Sequence, residues 1–313
     1  MIKINQMIHF NTLIKQLNFR KAARIHNITH PAFSRSIANL EATLGVKLFH
    51  RHPSGVSATI YSQTVEKYAK QILSAIHELE REIKLIKDGG IGELSIALGP
   101  YPAEFSGHRA IGKLINDSPD IRCKVLVSSW EDVEKMVMDR QVDLGMAELT
   151  QAVNNIYLKT EPLANHQGVI FCRTSHPILA KKRVSKKDLE SYPFVLTKIP
   201  SRAVPYIPGK LFKERGSDHA FPSIQIEEIA LSRQIIEESD ALGIATPLQI
   251  QTELENNVFS VVPYKTENLF TNYGFMYLRD RELSPVAIKF MNFVRELEAD
   301  INTRNMELVK HYL

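Results

Sequence analysis

His30, Ser34, Arg35 and Asn39 occur at a spacing that a helix gathers onto one face. All four carry short or forked hydrogen-bonding side chains, the kind that read base edges and phosphates in a DNA major groove. On the opposite face, Phe33, Ile37, Leu40 and Leu44 recur at intervals of four, three and four, the apolar stripe of an amphipathic helix. Thr29 is placed to cap this helix through its hydroxyl, and Pro31 is tolerated in its first turn, where amides have no intrahelical partner. Gly45 ends it by supplying a left-handed conformation. Upstream, Ala22 and Ala23 allow close helix approach, and Asn27-Ile28-Thr29 forms a tight turn. Together these features predict a helix-turn-helix over about residues 19–38. Residues 47–59 read as a small β-wing with Pro53, Ser54 and Gly55 at its tip. Arg51 on its flank and Ser54 are expected to reach the DNA backbone or minor groove.

Other chemistry is thin. His26, His30, His50 and His52 could suggest a metal, yet no carboxylate or thiol accompanies them and their surroundings are basic, so no metal is expected. The chain has no GxSxG, HExxH or P-loop pattern. Gly89, Gly90 and Gly92 precede a strand, whereas a dinucleotide fingerprint must follow one. The pairs Glu227-Glu228 and Glu237-Glu238 are adjacent residues on exposed-looking segments, which favours solvation over acid/base machinery. No enzymatic activity and no cofactor are expected. Cys123 and Cys172 stand far apart outside any CxxC cluster, which suggests no disulfide framework. A redox switch would require a resolving partner that the spacing does not supply.

At 313 residues the chain is too long for one DNA-binding module and suggests two or three domains. Its net charge of +4 is unevenly spread. Residues 1–60 hold eight Lys or Arg against one acid, Glu41, a net +7, while the remainder holds 31 bases against 34 acids, a net −3. The positive charge thus lies with the helix-turn-helix, as phosphate binding requires; a solvated basic face is the plainer alternative. There is no charged-then-apolar leader and no run of eighteen apolar residues, so a cytoplasmic protein that neither leaves the cell nor spans a membrane is expected.

A first helix is predicted over residues 3–17, with Ile4, Met7, Ile8, Leu13, Ile14 and Leu17 packing over the next two. From about 61 to 87, Val65, Ala69, Ile72, Ile76, Leu79, Ile83 and Ile86 recur as an a/d heptad seam flanked by charge, which predicts a coiled-coil dimer. A long helix lying on its own domain is the alternative. Residues 88–92 read as a hinge. Beyond it, strands at 94–98, 121–127 and 142–147 alternate with helices at 103–116 and 130–140, the order of a parallel sheet covered by helices. A second set follows: strands at 168–172, 194–196, 224–226 and 243–246, with a helix at 230–238. A strand at 273–278 and a helix at 285–300 then return to the first sheet. The fold class is α/β, two subdomains joined by crossings near Leu163 and Pro263 with a cleft between them.

Ala22-Ala23, the run Thr29 to Ile37, Leu40-Glu41 and the run Leu44 to Arg51 resemble the amino-terminal signature of LysR-type transcriptional regulators. One departure matters: most members carry Gln just before the Pro, where this chain has His30, so target sequence does not transfer from relatives. The resemblance implies a winged helix-turn-helix at 1–60, a linker and dimerisation helix at 61–90, and a regulatory domain at 91–313 like a periplasmic solute-binding protein. Lobe I would hold about 91–162 and 268–313, and lobe II about 163–267. It further implies a small-molecule effector in the cleft, a homodimer or homotetramer, a pseudo-palindromic double-stranded DNA operator that the protein bends, and RNA polymerase as a partner if the protein activates.

In open parallel sheets, ligands bind beyond the carboxyl ends of strands. Those positions are Gly99 to Pro102, Ser128-Ser129-Trp130, Lys198 to Arg202, Glu227-Glu228 and Thr246-Pro247, with Pro100, Tyr101, Ser128, Ser129, Trp130, Ser201, Arg202, Glu227 and Thr246 as the candidate effector contacts. Ser128 and Ser129 could equally be plain helix caps, Arg202 a solvated charge, and Tyr101 and Trp130 core filling. Two other classes stay open: a solute-binding protein with a basic extension, and an enzyme whose α/β domain is controlled by nucleic acid.

Overall fold

A computed structural model describes residues 1–52, 55–87, 92–213, 220–265 and 268–312, without the side chains of 74, 77, 78, 81, 82 and 84–87. The chain divides into two compact units, Met1–Gly90 and Ile91–Leu313.

In the first unit, α1 (Ile4–Gln16), α2 (Phe19–Ile25) and α3 (His30–Leu44) enclose one core. Ala22, Ala23, Phe33, Ile37 and Leu40 are buried in it, so α2 and α3 do pack through the small residues and the apolar stripe. From α1 the core takes Met7, Phe10 and Leu13, while Ile4 and Leu17 are exposed. The expected face of α1 was therefore rotated too far, because Phe10 rather than Ile4 sits under the aromatic cluster with Phe49. Leu17 adopts φ 44° as the cap of α1, which turns its side chain outward. The wing is the antiparallel pair β1 (Phe49–His52) and β2 (Gly55–Ala58). Its tip, including Pro53 and Ser54, lies outside the described residues.

The long helix α4 (Ile60–Lys87) follows. Ala69 is fully buried, and Val65 and Leu73 pack on the first unit's core. Ile72, Leu79 and Ile83 are exposed, at 41%, 59% and 45%. The proximal turns thus lie on their own domain, as the alternative reading of the heptad pattern has it, and the distal turns carry an exposed apolar stripe. The side chain of Ile86 and residues 88–91 of the expected hinge lie outside what the structure describes.

The second unit opens with β3 (Glu93–Leu98). Residues Pro100–Pro102 (α5), a π-turn at Ala103–Gly107 and α6 (His108–Asp117) then run on as one helix. They are followed by β4 (Arg122–Val127), α7 (Trp130–Met138), β5 (Leu144–Glu148) and β6 (Leu158–Pro162). Then come β7 (Val169–Arg173), α8 (Lys186–Leu189), β8 (Val195–Leu196), β9 (Phe212–Lys213), β10 (Ala220–Phe221), β11 (Ile224–Gln225) and α9 (Ile229–Glu237). The chain closes with β12 (Gly243–Ala245), α10 (Gln251–Glu255), β13 (Phe259–Val261), β14 (Tyr273–Leu278) and α11 (Pro285–Tyr312).

Lobe I is a five-stranded sheet of order β4-β3-β5-β14-β6, with β3, β4 and β5 parallel and β14 antiparallel to both neighbours. Helices α6 and α11 cover one face through Ala110, Leu114, Phe290 and Val294, and α7 covers the other through Val133 and Val137. Lobe II is built around β12-β7-β13, with β8 and β11 continuing beside β12. Strands β6 and β13 were not foreseen; β6 is half-polar (LKTEP) and β13 only three residues long, so neither carries an alternating pattern.

The chain crosses between lobes at 163–168 and again at 268–272, and the crossings pair antiparallel through the Gln167–Phe270 bridge and the bonds Gly168 N to Leu269 O and Thr271 N to His166 O. A third connection was missed. Helix α11 runs twelve residues past Asp300, so that Asn305 donates to Gln167 O, Arg304 reaches Gln251, and Tyr312 packs on the lobe II core.

Candidate functional site

Two sites emerge, one in each unit. In the first, Thr29 caps α3 by accepting from Ala32 N at 3.4 Å, Pro31 occupies the first turn, and Gly45 closes the helix at φ +71°. His30, Pro31, Arg35 and Asn39 are exposed on the side of α3 away from the core. Ser34 is half-buried and accepts from the Arg51 guanidinium at 2.8 Å, while that guanidinium lies 4.1 Å above the Phe19 ring. Arg51 therefore clamps the wing to both helices of the motif. Glu41, the one acid of this region, is 8% exposed and accepts from Leu48 N (2.9 Å), Phe49 N (3.2 Å) and Lys47 Nζ (3.0 Å). Burial alone would raise its pKa, but those three donors hold it below the usual carboxylate range. Its charge is thereby spent inside the protein and leaves the outer face basic. Among the candidate metal-binding histidines, His26 is held by Thr12 Oγ1 and packs against His9. Among the described residues no three His, Cys, Asp or Glu gather as a metal site would need.

In the second unit, the carboxyl ends of β3, β5 and β12 face the crossings around a cavity of about 120 Å³. Pro100, Tyr101, Trp130, Arg202, Glu227 and Thr246 line it, as the strand-end rule expects. Ser128, Ser129 and Ser201 do not. The two former serines are the plain caps of the alternative reading: Ser129 Oγ accepts from Asp132 N, and both hydroxyls donate to the Asp132 carboxylate. Ser201 is exposed on the turn beside Arg202.

Arg202 is not a solvated charge. It forms a two-point pair with Glu148 at the end of β5, Nε to Oε1 at 3.1 Å and Nη2 to Oε2 at 2.6 Å. The pair joins lobe II to lobe I. Two more ion pairs do the same: Lys198 to Glu131 at 2.5 Å, and Arg233 to Glu104 at 2.6 Å. Tyr101 adds a hydroxyl bond to Ile244 O at 3.4 Å. Burial pushes the Tyr101 hydroxyl up, and it likewise raises the carboxyls of Glu104 and Glu227 above their ordinary values. Glu148 and Asn272 were missed from sequence, whereas Lys198 lies in the expected 198–202 segment. Glu148 offered a signal, since it ends the third parallel strand at the same level as Gly99 and Ser128.

Beneath the cavity Tyr273 donates to the buried Glu298 at 2.9 Å, which also holds His166 at 2.9 Å and Ser106. This polar cluster pins β14, a crossing strand and α11 together. Cys172 lies in the lobe II core, where burial pushes its thiol up to about 12, far from the reactive thiolate range. Cys123 is raised as well, first by burial and then by Asp143.

Residues 4–61 match the bacterial regulatory helix-turn-helix of the lysR family, and residues 87–299 match the LysR substrate binding domain. The chain is 28% identical to the SDS degradation transcriptional activation protein of Pseudomonas sp. (strain ATCC 19151) over 95% of its length and 96% of that protein. It is 25% identical to the HTH-type transcriptional regulator GbpR of Azospirillum brasilense over 91% of its length and 84% of that protein. Among solved structures, CbnR, a LysR family transcriptional regulator, superposes with a TM-score of 0.64 at 15% identity, over 95% of this chain and 99% of that one. Full-length CbnR in complex with its target DNA gives 0.63, also at 15% identity, over 94% and 99%. With a helix-turn-helix joined to a two-lobed α/β domain in this order, the chain belongs to the LysR family of transcriptional regulators.

Proposed function

We propose that this regulator binds a pseudo-palindromic DNA operator through the exposed face of α3, and that a small molecule held between the lobes of its C-terminal domain sets its activity. The observation that carries the reading is the pairing of an outward polar face, His30, Arg35 and Asn39, with a helix-turn-helix and wing, residues 1–60, whose one acid, Glu41, is buried. That face meets bases and phosphates without a competing carboxylate. Arg51 and Ser34 support it from behind, fixing where the wing enters the backbone or minor groove. The stripe of Ile72, Leu79 and Ile83 on α4 supports a homodimer, which presents two reading helices to a two-fold symmetric site. Pairing of dimers into a tetramer, and bending of the operator, follow the family pattern. The Pseudomonas relative is named for transcriptional activation; the same role here makes RNA polymerase the partner. Three ion pairs that span the lobes give a ligand in the cleft a means of altering their spacing.

The test is footprinting of the purified full chain on the DNA flanking its own coding region at two salt concentrations. The expected result is a two-fold symmetric protected site whose affinity falls steeply with salt. Weak, sequence-independent binding to every fragment would remove the operator reading.

A further inference from the structure

The charge around the cleft is already balanced by the chain itself. Arg202 is occupied at two points by Glu148, and Lys198 by Glu131. The free amides of α7, a natural seat for an anion, carry Glu131 and Asp132 in the first turn, and Asp132 takes up both Ser128 and Ser129. Glu227 lines the cavity as a further carboxylate, bonded there to Lys198 N. A carboxylate ligand would thus meet Glu148 and Glu227 on the wall and, among the described residues, no lining cation that lacks a partner. Apart from the hydroxyls and amide of Tyr101, Thr197, Thr246, Thr271, Asn272 and Tyr273, the rest of the wall is apolar, including Pro100, Leu196, Ile199, Ile207 and Leu269. One polar atom stands out. Trp130 lines the cavity, the residue is 6% exposed, and its indole Nε1–H is buried without a hydrogen-bond partner among the described residues. An indole N–H only donates, so whatever completes it must bring an acceptor.

We propose that the cleft takes a neutral, largely apolar small molecule with one acceptor oxygen, an alcohol or carbonyl compound, and selects against carboxylates. This rests on the reading of the cleft as the effector site. The cavity of about 120 Å³ is close to the roughly 150 Å³ apolar cavity that accommodates a benzene ring, which sets the scale of the apolar part. The acceptor oxygen completes Trp130 Nε1–H, and the acids around the rim exclude an anion by charge repulsion and by the loss of its hydration.

Trp130 is the chain's single tryptophan, so its fluorescence reports on this cavity alone. The full-length protein is titrated with benzyl alcohol, benzoate and toluene, and calorimetry repeats the titrations on Trp130→Phe. Benzyl alcohol is expected to shift the emission saturably at a concentration at least about tenfold below benzoate, the worth of one good hydrogen bond plus the charge penalty. In Trp130→Phe, benzyl alcohol binding weakens about tenfold while toluene binding is unchanged, which also shows that the variant is folded. Benzoate binding as tightly as the alcohol, or equal loss of alcohol and toluene binding in the variant, overturns the proposal. Silence toward benzyl alcohol together with a saturable response to benzoate, or to the small-molecule filtrate of a cell extract, overturns the ligand class and leaves the effector site standing. Silence toward every one of these overturns both.

Discussion

Arg51 and Arg35 are both cations beside the proposed reading face, but they are held differently. Arg51 is engaged with Ser34 and Phe19, whereas Arg35 is exposed on α3. Arg35→Ala is therefore expected to weaken operator binding by about 1–3 kcal/mol, the worth of a bidentate base contact, with the fold unchanged. Unchanged affinity at fixed salt would take Arg35 off the reading face. Glu41 matters for the opposite reason. Its folded pKa lies below the ordinary 4.5, so its contribution to stability is fully present above that value and is lost as pH falls through the depressed one. Glu41→Ala leaves the amides of Leu48 and Phe49 unpaired and is expected to cost about 2–3 kcal/mol, an effect that shrinks in acid. Thermal unfolding of the full chain at pH 7 and pH 4 checks both the size and the sign.

At the scale of elements, α4 and α11 each serve two masters. The first turns of α4 complete the core of the DNA-reading unit, and its distal turns expose Ile72, Leu79 and Ile83. Leu79→Glu with Ile83→Glu would place charges in a coiled-coil seam, and sedimentation is expected to show the protein shifting from dimer toward monomer. A retained dimer would move the self-association to another face. Ala69→Glu is the contrasting change, since Ala69 is fully buried inside the unit and its replacement should damage folding rather than assembly. Helix α11 begins on the lobe I sheet through Phe290 and Val294 and ends on lobe II through Tyr312. It thus ties the two lobes together beside the crossings.

At the scale of the molecule, the lobes are drawn together by Arg202–Glu148, Lys198–Glu131 and Arg233–Glu104, all partly shielded from solvent. Removing Arg202 leaves the Glu148 carboxylate with only its neutral donors, Thr150 and Asn272, and without its counter-ion. Arg202→Ala is expected to destabilise the C-terminal domain by about 1–3 kcal/mol, and adding Glu148→Ala to recover part of that loss. Calorimetric unfolding of the two variants measures the coupling; additive losses would show that the pair contributes nothing to lobe closure. Among the described residues no helix is long and apolar enough to cross a membrane.

The sequence alone determined the helix-turn-helix, because α3 is specified locally: Thr29 at its start, Gly45 at its end and an apolar stripe of helical period between. It also determined β3 and β5 of lobe I, whose apolar runs are buried on both faces. Most of the cleft was legible for a topological reason, since strand ends in such sheets fall at one edge whatever their side chains. What only the tertiary structure decided was partnership. Arg202 reads as a lone loop cation until Glu148, 54 positions away, is brought within 2.6 Å of it. Ser128 and Ser129 read as ligand hydroxyls until Asp132 takes them. Strands as short or as polar as β6 and β13 exist because a neighbour satisfies their backbone, and the last turns of α11 are helical because lobe II receives them. Local pattern fixes which backbone forms; which charges remain free for a ligand depends on contacts that close only when distant segments meet.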